Sequence, residues 1–349
     1  MIRLTWLQFR TQAVTAAAAL AAFAVLLAAT GPHLASLYAA SGVSGCHGGS
    51  CQNLAGSFEA QVQSTAIYPA LYLISVVSIL LAPAVIGLFW GAPLIARELE
   101  TGTSALAWNQ SVTRTRWLAT KLTAGGLTAM AVTEGLSLMQ AWWAAPLGRA
   151  ASHGAPAGPL TQGRFTQLIF ASHGITPLGY AAFAFALGVT AGAMIRRTIP
   201  AMAVTLAVFA ALQVAMPLGI RPHFVPADRA VISVAEGYDA GGATGPGGST
   251  LTLVATSLPG QPGAWILSSG PINAAAQPVS TTPAACTSSS IENSPDFDGC
   301  LTSQGIREAI SYQPASRYWP FQWIETAIYL ALALALAGCC FRRLNRRRS

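Results

Sequence analysis

The apolar positions of this chain do not recur at the short helical or strand periods of a soluble domain; they come in long runs. Six stand out: Thr11–Thr30, Tyr68–Ala96, Leu122–Leu147, Phe165–Ile195, Thr198–Ile220 and Trp319–Phe341. A helix needs about 20 predominantly apolar residues to cross a bilayer, so the pattern predicts six transmembrane helices and an all-α polytopic membrane protein. Glu134 interrupts the third run and Glu325 lies inside the sixth. The first run, behind Arg3 and Arg10, also has the shape of a signal-peptide core; with five runs behind it, the distinction matters little.

The polar intervals are unequal. Arg221 to Tyr318 spans 98 residues rich in Gly, Ser, Thr and Pro, too polar for lipid and too long for a bare connection. Strand-like pieces are expected at Leu251–Ser257 and Ala264–Ser268, and a short helix around Gln304–Tyr312. The chain therefore divides into residues 1–220 with five spans, a loop subdomain at 221–318, and a last span with a basic tail at 319–349. The glycines of Gly241-Gly242-Ala243-Thr244-Gly245-Pro246-Gly247-Gly248 lack the Lys-Ser/Thr pair of a phosphate-binding loop and read as a linker.

Composition agrees with lipid as the main solvent: 53% of residues are hydrophobic and 9% charged, with a mean hydropathy of +0.49. The net charge of +7 would suit nucleic acid in a soluble protein, but its placement decides otherwise. Alternating loops put Arg3, Arg10, Arg97, Arg114, Arg116, Lys121, Arg196, Arg197, Arg342, Arg343, Arg346, Arg347 and Arg348 on one side. Only Arg149, Arg164, Arg221, Arg229, Arg307 and Arg317 fall on the other, in longer loops. The positive-inside rule then places both termini in the cytoplasm of a bacterial cell membrane, with no nucleic-acid partner.

Cysteines give an independent test, because disulfides persist outside the reducing cytosol. Cys46 and Cys51 fall in the first external loop, Cys286 and Cys300 in the last, and Cys339 and Cys340 at the inner end of the sixth run. Two external disulfides are expected. A metal site in Cys46-His47-Gly48-Gly49-Ser50-Cys51 would have only two thiols and one imidazole, so no metal is expected. Nucleotide-binding, metalloprotease and serine-hydrolase motifs are lacking, which argues against an enzyme.

The most informative interval follows the second run. It reads Arg97-Glu98-Leu99-Glu100-Thr101-Gly102-Thr103-Ser104-Ala105-Leu106-Ala107-Trp108, then Thr113-Arg114-Thr115-Arg116-Trp117-Leu118 and Lys121. Gly102 suits a turn, a short helix bearing Leu106 and Trp108 is expected after it, and Thr113 is placed to cap the third run. A basic turn that only fixes topology is the plain alternative. The order and spacing favour a compact element that docks on a cytoplasmic partner.

These residues resemble the coupling-helix loop of type-2 ABC transporter permeases, especially actinobacterial exporter subunits. The N-terminal Trp6, Leu7 and Phe9 between Arg3 and Arg10 resemble that family's amphipathic elbow helix. Many members carry a proline just before the position of Arg114, where this chain has Val112. The resemblance implies a permease without its own nucleotide site that exports a hydrophobic or amphipathic compound (a drug, lipid or secondary metabolite). It implies a cytoplasmic ATPase subunit that binds ATP and Mg, and a second permease copy or paralogue in the surrounding lipid. It further implies that Arg97, Glu98, Glu100, Gly102, Thr103, Leu106, Trp108, Arg114, Arg116 and Lys121 form the ATPase-coupling loop.

Ionisable groups are costly within a bilayer and mark function by default. Glu134 is the strongest candidate for a pathway or subunit-interface role, with a buried structural hydrogen bond as the equal alternative. His173, with Ser172 and Thr176 beside a kink at Pro177, and Glu325, with Gln322, follow. For these two a structural role leads, and Arg317 is one expected partner of Glu325. Two other functions compete: a proton-coupled secondary transporter using Glu134 or His173, and a membrane sensor binding ligand through residues 221–318.

Overall fold

A computed structural model of the chain describes residues 2–46, 50–100, 113–153, 158, 160, 163–234, 251, 253, 258, 260–261, 263–286 and 296–345. In chain order the elements are α1 (Ile2–Ala40), α2 (Ser50–Ser64), α3 (Ile67–Ile86), a π-helical turn (Gly87–Gly91), α4 (Ala92–Glu100), α5 (Arg114–Trp143), α6 (Ala145–Ser152), α7 (Gln167–Ser172), α8 (Thr176–Ile195), α9 (Thr198–Ala215) with a second π turn (Met216–Ile220), β1 (Asp228–Ser233), β2 (Trp265–Ile272), α10 (Asp296–Ser303), β3 (Arg307–Gln313) and α11 (Tyr318–Asn345). They form two compact units. One comprises residues 1–162, 166–221 and 319–349, the other residues 163–165 and 222–318.

The first unit is helical. Among the described residues, five helices are long and apolar enough to cross a membrane: Ala13–Ala40, Ile67–Glu98, Thr176–Ile195, Thr198–His223 and Ala315–Arg343. The third run forms α5, whose 30 residues extend about 45 Å at 1.5 Å per residue. Its threonines, glycines and Glu134 leave it less apolar than the other five. Thr113 caps it, accepting a hydrogen bond from the Arg116 amide at 3.4 Å. No break sets off an elbow, because α1 runs unbroken from Ile2 through an Ala-rich sequence of high helix propensity.

The fourth run is not one helix. It is cut at His173–Ile175 into α7 and α8, with Gly174 at a φ of 73°, a left-handed value that glycine tolerates best. Pro177 then sits in the first turn of α8, where its fixed φ suits a helix start. Every residue of α8 from Thr176 to Gly192 except Leu178 is buried, which makes it the central helix. By contrast α1 and α9 leave Val14, Val25, Ile199 and Val214 exposed, as suits helices bathed in lipid. Beside α1 and α5, Tyr38, Phe58, Val62, Tyr68, Trp143, Leu147 and Ala150 form one apolar cluster. The Trp143 indole N–H within it donates to Thr30 Oγ1 at 2.9 Å.

The second unit holds an antiparallel sheet of order β1-β3-β2. The helix expected around Gln304–Tyr312 is instead the central strand β3, with Glu308, Ile310 and Gln313 buried. Its two neighbours, 35 or more residues away in sequence, supply the pairing that local propensity does not reveal. Of the strand expected at Leu251–Ser257, only Leu251 and Leu253 are described. They are buried outside any strand, in a core with Val234, Cys286, Phe297, Leu301 and Ile306. Disulfides join Cys46 to Cys51 and Cys286 to Cys300, while Cys339 and Cys340 are free.

Candidate functional site

Among the described residues of the helical unit, two polar constellations stand out. The first gathers at the ends of α4, α5 and α9. Glu98, near the end of α4, forms an ion pair with Lys121 of α5. Lys121 is buried, and its ammonium stands 4.5 Å from the Trp117 ring centroid. Exclusion of water strengthens the attraction between the two charges. Arg196 ends α8 in the left-handed conformation, and α9 starts two residues later. There the Thr198 amide donates to Glu100 Oε1 at 3.0 Å and the Thr198 hydroxyl to Glu100 Oε2 at 2.6 Å. The carboxylate thus satisfies an orphan donor at a helix N-terminus and complements its dipole. The Thr198 hydroxyl and then its amide hold the Glu100 carboxyl below the usual range.

These contacts revise the picture of the loop. Glu98, Glu100 and Lys121 spend their polar atoms on this chain's own helices, so they fix the two feet of the interval 101–112. Arg97 and Arg116 are exposed. Gly102, Thr103, Leu106 and Trp108 lie outside the described residues, as does the side chain of Arg114.

The second constellation joins α8, α11 and Arg221, which follows the π turn after α9. Arg221 Nε and Nη2 donate to the Glu325 carboxylate at 2.7 and 2.9 Å. The Tyr180 hydroxyl donates to the same carboxylate, and Arg221 lies 4.1 Å from the Phe170 ring centroid. One turn earlier on α11, Gln322 Oε1 accepts from the Ile175 and Thr176 amides at 3.0 and 3.1 Å, and its Nε2 donates to the Phe170 carbonyl at 3.0 Å. Gln322 therefore satisfies the backbone groups exposed by the break between α7 and α8, where a bilayer offers no water. Glu325 pairs with Arg221, not with Arg317, which binds Asp228 at 2.8 Å within the second unit.

His173 sits at the same break, its Nδ1 2.9 Å from Ser172 Oγ and 3.1 Å from the Ile169 carbonyl. On α5, Ser137 donates to the Ser172 carbonyl at 3.1 Å. Glu134 is half-buried, and its Oε2 is buried without a hydrogen-bond partner among the described residues. It joins neither constellation. Arg221 and Tyr180 do not stand out as site residues in the sequence. The one available signal is a pair of opposite charges, Arg221 and Glu325, at the ends of two neighbouring apolar runs. A ring nitrogen of His153 lies within 4.8 Å of both Cys46 and Cys51 sulfurs. Those sulfurs are joined, so they offer an ion no thiolate.

A family model described as "ABC-2 membrane transporter related" matches residues 17–221. Searches of curated proteins and of solved structures found no match.

Proposed function

Because that match covers more than half of the chain, the chain belongs to the ABC-2 membrane transporter-related family, and from this premise we propose how it works within an ATP-driven exporter. It is the membrane-spanning permease subunit, and it moves a hydrophobic or amphipathic compound outward. Energy comes from a separate cytoplasmic ATPase that binds ATP and Mg, and a second permease copy or paralogue completes the channel. In this reading α5 is the sixth span, both termini are cytoplasmic, and the unit at 222–318 is external.

The observation that supports it is how the interval 101–112 is anchored. Its first foot is tied to α5 by Glu98–Lys121 and to α9 by Glu100–Thr198, while its second foot is capped by Thr113. A push on this segment from an ATPase would therefore reach three helices at once. The helices would re-pack as bistable bodies and not deform smoothly.

The test is co-purification of the chain with an ATPase, followed by Glu98→Ala combined with Gly102→Ala. Membrane insertion should be unchanged, and ATP hydrolysis coupled to export should fall roughly 5- to 150-fold, the span of typical coupling free energies. Export that continues unaltered in the double variant, or without any ATPase, would overturn the reading.

A further inference from the structure

Four glycines stand where α8 crosses the second span. Gly87 and Gly91 bracket its π turn, and Gly188 and Gly192 lie on the facing side of α8, each pair four residues apart. A Cβ on Gly87 would stand 2.7 Å from the Ala184 carbonyl oxygen, and one on Gly91 2.7 Å from that of Phe185. A Cβ on Gly188 would overlap the Gly87 carbonyl oxygen, and one on Gly192 that of Ala92. Backbone thus meets backbone on both sides, through two interdigitated glycine-x-x-x-glycine pairs. Such packing brings helices closest within a bilayer, where close van der Waals contact and not the hydrophobic effect holds them. A contact of this kind has no long side chains to slide or re-pack.

The same helix carries Tyr180, two turns from Gly188 toward its N-terminus, where it binds the Glu325 carboxylate. Its Gly179 packs against the Thr326 backbone of α11, a Cβ there standing 3.2 Å from Thr326 Cα. The element that leads into the interval 101–112 is therefore locked to the helix that touches the Arg221–Glu325 pair.

We propose that α4 with the π turn before it and α8 move as one rigid body during transport, with Gly87, Gly91, Gly188 and Gly192 as positioning residues that carry displacement of the 101–112 interval to the Tyr180–Glu325–Arg221 cluster. This rests on the permease reading above, and the test separates the two.

In a chain with Cys339→Ser and Cys340→Ser, spin labels are placed at two exposed pairs, Phe89→Cys with Met194→Cys, and Val25→Cys with Met194→Cys. Each is measured in the complex with its co-purified ATPase, without nucleotide and with ATP. The 89–194 distance should stay constant to within about 2 Å, the scale of ordinary helix shifts, while the 25–194 distance changes. Gly188→Val should make the 89–194 distance nucleotide-dependent and lower ATP-coupled export about tenfold or more, with the complex still assembling. A changing 89–194 distance in the unaltered glycine background overturns the rigid body and leaves the permease reading intact. If neither distance responds to ATP, the permease reading fails, and the proposal fails with it.

Discussion

Arg221 and Glu325 are each 1% exposed, and a pair so deeply buried is poor evidence for stability in itself. Desolvation of two ions offsets most of their attraction, so apolar replacements of similar volume are often neutral or better. Breaking the pair from one side is different, because it strands a charge. Glu325→Ala should therefore lower unfolding stability by about 3–5 kcal/mol, and Arg221→Met with Glu325→Leu should recover most of the loss. Thermal unfolding of the purified protein in detergent compares the two. A double variant no better than Glu325→Ala would mean that the residues stabilise the fold separately. Gln322 makes a different contribution nearby. Its amide supplies one acceptor and one donor to backbone groups that the break at Gly174 exposes, a role that a hydrophobic residue cannot take.

Among the elements, the start of α9 is capped by a titratable carboxylate. Two hydrogen bonds from Thr198 favour the ionised form of Glu100 and depress its folded pKa below the ordinary 4.5. A depressed carboxyl contributes its stabilisation in full above the unfolded value and loses it as pH falls through the folded value. Hydrogen exchange at the Thr198 amide, corrected for intrinsic rates, should show constant protection from neutrality down to about pH 5. Protection should fade only below 4.5, and Glu100→Ala should remove it at every pH. An amide equally protected in that variant would show that packing, not the cap, holds the helix start.

What the sequence revealed of these elements follows the range of the forces involved. The Thr113 cap and the two cysteine pairs are local signals that match the structure, and five of the helices are long and apolar enough to cross a membrane among the described residues. The break at His173–Ile175 was less legible, because Gly174 and Pro177 sit in an otherwise apolar run and mark a kink as readily as a gap. Arg307-Glu308-Ala309-Ile310-Ser311-Tyr312-Gln313 forms a strand only because β1 and β2 flank it. The glycine contacts of α8 depend on which helix lies opposite. Arg221 looked like a loop residue because its partner, Glu325, lies 104 positions away.

At the scale of the whole molecule, the division into two units has a thermodynamic consequence. The unit at 163–165 and 222–318 has its own core of Val234, Leu251, Leu253, Phe297, Leu301 and Ile306 around the disulfide. Small cores gain much from a covalent staple. Cys286 and Cys300 are 14 residues apart, a loop whose closure restrains the unfolded chain by about 3 kcal/mol in the entropic account. Cys300→Ser together with Cys286→Ser should therefore lower the melting temperature of this unit while the helical unit, with its separate packing, keeps its own transition. Limited trypsin digestion reads the difference: cleavage at Arg229, Arg307 and Arg317 should accelerate well before α8 or α11 is lost. If both units instead melted together at the lowered temperature, they would form one cooperative body.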